Sequence, residues 1–269
     1  MANRRNSSIL RMLLTLVIVV SLFGCKGPDP ECLLYNSLGE CIDNAQIEDN
    51  GDFIVTAQYS QYNPEHKQYF GGLGQTLAGL LNDLLKLPNG NISVSFEDCG
   101  QANASYDPQK VKLTMCYELF EVFLYLYGED KQAAKAAYMF VFFHEAGHAL
   151  VDQLELPVLG KEEDSVDAMA AVIMVSADMP EAAILAGFFF QSLQGGQQVN
   201  WFDSHSVGPQ RMGNLVCWAI GGDSDLLLEN PGLMDLAQQI IAVGQRDCKA
   251  EYLQQEKAVE DLWTPYIKY

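Results

Sequence analysis

The chain has 269 residues, 16 of them basic and 35 acidic, with a formal net charge of −19 and a hydrophobic content of 49%. An apolar fraction this ordinary, with 10% aromatic residues, excludes collagen, coiled coil and wholesale disorder and is enough for one sizeable core. The acidic balance argues against a nucleic-acid partner, which needs a basic footprint, and against electrostatic attraction to anionic lipid.

Residues 1–24 read as an export signal. Arg4, Arg5 and Arg11 form a basic leader, and Met12 to Phe23 is an apolar run of 12 residues. A membrane-spanning helix needs roughly 20 apolar residues, so this run is too short to anchor the chain by itself. The run ends in Leu22-Phe23-Gly24-Cys25, which resembles the bacterial lipobox. That resemblance implies a lipid on Cys25 and attachment to a membrane, with an ordinary cleaved signal as the alternative. Lys26 stands where aspartate would resemble an inner-membrane retention signal. An outer-membrane destination, facing periplasm or surface, follows if the host has two membranes. Six cysteines remain in the mature chain: Cys32, Cys41, Cys99, Cys116, Cys217 and Cys248. An even number in an exported chain points to disulfides. Sequence neighbours suggest Cys32–Cys41, Cys99–Cys116 and Cys217–Cys248, and a cysteine zinc site would need a Cys-x-x-Cys spacing that is absent.

Residues 25–52 start at the lipidation site and are rich in Gly, Pro, Asn and Asp without an apolar period, so they read as a tether. Phe53 to Tyr59 alternates as a strand, and Tyr69, Phe70, Leu73, Leu77, Leu80, Leu81 and Leu84 give helical spacing over 66–87. His66, at the start of that helix, is expected at the surface. Ile92, Val94 and Phe96, then Val111, Leu113 and Met115, alternate as two strands. The turn-rich stretch between them predicts a hairpin held by Cys99–Cys116. Helices are expected over 117–127, 131–154, 162–177, 180–194, 208–220, 232–244 and 247–260, with Phe188, Phe189, Phe190 and Trp218 in the core. The economical architecture is one α+β domain over 53–269, mostly helical, with a small early sheet.

The chemistry is concentrated in His144-Glu145-Ala146-Gly147-His148. Two histidines four apart on a helix leave the same face one turn apart, so both imidazoles can share one Zn²⁺. Glu145 beside them can take a proton from a water at the metal. The bland alternative is a core helix whose histidines bond their neighbours. Gly147 costs the helix about 1 kcal/mol relative to alanine, which makes sense where a strand or a substrate comes close.

A catalytic zinc wants a third protein ligand and an open position. Val151 and Leu154 occupy the places where a metzincin has glycine and histidine, so that class is excluded. Glu163 and Asp167 instead form Glu-x-x-x-Asp, with 14 residues between His148 and Glu163 and Leu156-Pro157-Val158-Leu159-Gly160 as the turn. Glu163 is expected as third ligand and Asp167 as acceptor of an imidazole N–H, fixing its tautomer. Glu162 and Asp164 are the rival ligands.

HEAGH followed by EDSVD resembles the gluzincin pattern of thermolysin-like zinc peptidases. The series NASYDP, CYEL, FFHEAGHALVDQLELPVLGKEEDSVDAMA and WFDSHSVGPQRMGNLVCWAIG is similar to the bacterial putative-metallopeptidase family of unknown function, over roughly residues 55–255. The resemblance implies a compact zincin-like scaffold whose sheet edge binds an extended peptide. It also implies an oxyanion-stabilising histidine or tyrosine after the ligand helix. His205, oriented by Asp203, fits that place, with Tyr106 and Tyr117 as alternative donors and Arg211 as a partner for a substrate carboxylate or an active-site acid. The expected activity is zinc-dependent peptide hydrolysis by a lipid-anchored protein. The alternatives are a non-catalytic zinc-containing envelope lipoprotein, or a zinc hydrolase of a non-peptide amide or ester.

Overall fold

The structure is a computed structural model that describes residues 47–193, 208–229 and 231–268. The chain begins with strand β1 (Phe53–Ala57) and helix α1 (His66–Leu84), followed by β2 (Ile92–Glu97), β3 (Ala104–Asp107) and β4 (Lys112–Cys116). Helices follow: α2 (Tyr117–Leu126), α3 (Lys131–Gln153), α4 (Glu162–Ser176), α5 (Glu181–Leu193), α6 (Gly208–Gly222), the short α7 (Leu226–Glu229), α8 (Met234–Gly244) and α9 (Cys248–Trp263). The fold is therefore α+β and mostly helical. Each expected helix is present, with ends displaced by at most three residues. Among the described residues no helix is long and apolar enough to cross a membrane.

The sheet runs β1-β2-β4-β3, with β1–β2 and β2–β4 parallel and β3 antiparallel to β4. Its register puts Phe53, Val55, Ile92, Val94, Phe96, Leu113 and Met115 on one face. Ser93, Lys112 and Thr114 lie on the other, so a single face is apolar. α1 and α3 cover that face. Phe96 stacks on both Phe70 of α1 and Phe142 of α3, at ring-centroid distances of 6.2 and 6.3 Å. A Cβ at Gly74 would sit 2.3 Å from the Phe96 ring, so α1 can lie this close to the sheet only with glycine there.

The expected hairpin between 92–96 and 111–115 is not formed, because those strands pair in parallel. A parallel pair needs a crossover, and the 14 residues between Glu97 and Lys112 supply one. They run back as β3 and turn at Asp107, whose Oδ1 accepts from the backbone N–H of Gln109 and Lys110. The real hairpin is thus β3–β4, and β3 is an edge strand. Cys99–Cys116 does form, tying the start of that crossover to the end of β4.

α3 is the axis of the molecule. Asp130 caps it by accepting from the N–H groups of Gln132 and Ala133, and it is buried around most of its circumference. The sheet and α2 lie on one side of it; α4 and α5 lie on the other, backed by α6 and α9. Cys217–Cys248 ties α6 to α9. Two expectations fail locally. Phe188 is half-exposed while Phe189 and Phe190 are buried, since consecutive helical residues point about 100° apart and three in a row cannot all face one core. His66 is buried, packed on Phe70 and Tyr117 with Nε2 3.1 Å from Glu121, because α2 covers the start of α1. The expectations for Cys25, Cys32, Cys41, Asp203 and His205, and for residues 1–46, lie outside the described residues.

The Cys217–Cys248 link spans 31 residues of chain, a loop whose closure entropy is substantial. Replacing both cysteines by serine is expected to lower unfolding stability by about 3 kcal/mol in denaturant titrations, with the secondary-structure content unchanged.

Candidate metal centre

His144 and His148 project from the middle of α3 toward the first turn of α4, where Glu162, Glu163 and Asp164 follow the turn residue Gly160. The helices meet closely. A Cβ at Gly147 would lie 2.9 Å from Val166 Cβ, so it is the neighbouring helix, and not a strand or substrate, that requires glycine there. This approach brings Glu163 between the two imidazoles. Its Oε2 is 3.3 Å from His144 Nε2 and its Oε1 is 3.5 Å from His148 Nε2. Ligand atoms of the three residues lie within 4.8 Å of one another.

Each imidazole is held from behind. His144 Nδ1 is 2.9 Å from Asp167 Oδ1, and His148 Nδ1 is 2.6 Å from Glu162 Oε1. With both Nδ1 positions donating to carboxylates, both Nε2 atoms are left to face Glu163. Asp167 is held in turn by Arg211 of α6, whose Nε donates to Oδ2 and whose terminal nitrogen donates to Oδ1, each at 2.7 Å. The guanidinium lies over the ring of Phe190, 3.5 Å from its centroid, and that ring also borders His144. Arg211 is thus paired with Asp167.

Burial and ion pairing set the charges. Burial opposes the charge on His144, but its bonds to Asp167 and Glu163 and the nearby charge of Glu145 outweigh that and raise its pKa to about 9. His148 is raised as well: burial and the His144 charge oppose protonation, and Glu163 and Glu162 favour it. Burial works against ionised Glu163 too, yet the two histidines hold it well below the usual carboxylate range. Asp167 is lowered against burial by His144 and Arg211. Glu145 is only 8% exposed and has no hydrogen-bond partner among the described residues.

The donor set fits a zinc ion. Two imidazole nitrogens and a carboxylate oxygen are a common catalytic set. Ligands at roughly 2.0–2.2 Å in a tetrahedron stand about 3.4 Å apart, close to the two separations found here. Of the other acids on this turn, Glu162 lies 2.6 Å from His148 Nδ1, and Asp164 is outside the cluster formed by His144, His148 and Glu163. Tyr106 and Tyr117 are committed elsewhere, their hydroxyls donating to Asp152 Oδ2 at 2.6 Å and to the Gln58 carbonyl at 2.7 Å. The second cysteine-containing cluster, Cys99, Cys116 and Glu118, is closed to metal by its disulfide. Sequence reasoning missed the contact of Glu162 with His148, because it weighed Glu162 only as a rival to Glu163. It also missed Phe190 as the platform for Arg211, which no local pattern signals.

A family model described as "Putative metallopeptidase" matches residues 56–263, and the chain belongs to that family. No curated protein and no solved structure shows a significant match to it.

Two outcomes are expected. Gly147→Ala forces Val166 and α4 outward, lowering stability by about 1–3 kcal/mol in thermal or denaturant melts and weakening metal binding by displacing Glu163. Because His144 must lose its proton to bind metal, and holds that proton up to about pH 9, metal affinity rises with pH. The rise is at least about tenfold per unit below that value and steeper where His148, whose pKa is also raised, is protonated too; chelator-competition titrations at several pH values check it.

Proposed function

We propose that the protein is a zinc-dependent peptidase held to the cell envelope by a lipid on Cys25. The observation that carries this reading is the convergence of His144, His148 and Glu163, with the buried carboxylate of Glu145 on the same helix. Membership of a metallopeptidase family supports the same class of reaction.

Zinc held by those three side chains would supply a Lewis acid that polarises a substrate carbonyl and lowers the pKa of water toward about 7. Glu145 is the general base. Its carboxylate acts electrostatically on both histidines, and no partner among the described residues competes for it. It takes a proton from the attacking water and passes it to the leaving amine. Asp167, gripped by Arg211, keeps the His144 proton on Nδ1 and the ring in place. His205 is proposed to meet the negative charge that develops on the substrate oxygen.

An extended peptide fits the edge of β3. Tyr106 ties that strand to Asp152, which lies one turn beyond His148 on α3. Among the described residues no further strand pairs with the outer side of β3, so its outward N–H and C=O groups can meet a substrate backbone, as an exposed sheet edge does. The lipobox and Lys26 support an outer-membrane location in a two-membrane host.

The test uses purified residues 26–269, a peptide library and a zinc assay. Glu145→Gln is expected to keep wild-type zinc content while hydrolysis falls by about 10²- to 10⁴-fold. Undiminished turnover by that variant removes Glu145 from the role. A zinc-loaded wild type that leaves every peptide intact, with or without chelator, favours a non-catalytic lipoprotein or a non-peptide substrate.

A further inference from the structure

The two histidines of the centre are supported by carboxylates of very different standing. Asp167 is buried, clamped by two hydrogen bonds from Arg211 and anchored through it to α6. Glu162, the support of His148, has a side chain that is 48% exposed, and its carboxylate oxygen is 2.6 Å from Nδ1. It stands at the first residue of α4, immediately before Glu163. The peptide that delivers the third metal-facing group therefore also delivers the group that aims the second ring.

We infer that Glu162 is a positioning residue for metal binding, aiming His148 Nε2 at Glu163 by holding the ring's opposite nitrogen. This rests on the reading of His144, His148 and Glu163 as metal ligands. An imidazole on a helix has two χ angles, and its ring can flip to present either nitrogen. On His144 the buried Asp167 settles that choice. His148 has a side-chain exposure of 16% against 5% for His144, and among the described residues Glu162 is the group that holds its Nδ1 and so fixes its tautomer and orientation. Losing such a support typically costs about 10- to 100-fold in metal affinity. Glu162 is exposed and outside the buried core, so its removal leaves the fold intact. Metal affinity and folding are thus separable at this position, whereas at Asp167 they are not.

The experiment measures zinc affinity by competition with a chromophoric chelator, and cobalt(II) absorption to report coordination geometry, on residues 26–269. Glu162→Ala is expected to weaken zinc binding about 10- to 100-fold and to alter the cobalt spectrum, with the metal-free melting temperature unchanged. Glu162→Gln keeps an acceptor oxygen and is expected to recover most of the loss. Asp164→Ala removes the same charge from the same helical turn at a residue outside the cluster of His144, His148 and Glu163, and is expected to bind zinc as the wild type does. Wild-type affinity in Glu162→Ala overturns the inference, and so does an equal loss in Asp164→Ala, which would mark a general charge effect. If the unaltered chain takes up no zinc, the metal-centre reading fails as a whole, an outcome distinct from a wild type that binds tightly beside a Glu162→Ala that binds equally well.

Discussion

The contact between α3 and α4 at Gly147 and Val166 governs the rest of the molecule. Two helices that approach this closely need a missing Cβ on one of them, and the helical cost of glycine, about 1 kcal/mol, is offset by what the approach makes possible. At a wider separation Glu163 would not reach both Nε2 atoms, and each histidine would be left to solvent or to a chance neighbour. The close approach also explains why His144 and Glu163 are buried, and His148 partly so, without being destroyed as ions. Each finds an opposite charge or a hydrogen-bond donor within about 3.5 Å, which is what ionised groups require in a low-dielectric interior.

From that contact the support spreads outward in two unequal directions. One runs inward through Asp167 and Arg211 to Phe190 and α6, the helix that Cys217–Cys248 ties to the C-terminal α9. Every member of this line is buried, so removing either Asp167 or Arg211 strands the other's charge in the interior. The other runs outward through Glu162 to water and ends there. The centre is therefore held from the interior on the His144 side and from the solvent side on the His148 side. The single-faced sheet acts on the site helix from the opposite side. α1 and α3 fill its apolar face with aromatic rings, so α3 is held along most of its length.

Much of this was legible in the chain itself. Most of the helices could be read from apolar spacing because they bury one stripe against a neighbour, and the turn before α4 from Leu156 to Gly160. The histidine pair and Glu145 were readable because a helix converts a spacing of four into one shared face. The mixed sheet was not readable. Alternation identifies strands but carries no information on whether neighbours run parallel, and the short β3 inside a turn-rich stretch looked like loop. His66 failed for a similar reason: burial at the end of a helix depends on what lies over it, here α2.

The sequence alone determined the chemistry available: two imidazoles and a carboxylate one turn apart, an acid pair on the next helix, and cysteines spaced for Cys99–Cys116 and Cys217–Cys248. Local periodicity suffices for that, since it acts within a single element. The tertiary structure alone decided which acid does what. Glu162, Glu163 and Asp164 share one turn and nearly one composition, and only the angle at which α4 packs on α3 puts Glu163 between the rings, Glu162 behind His148 and Asp164 outside their cluster. That angle is set by packing between side chains far apart in the chain, which no local pattern records.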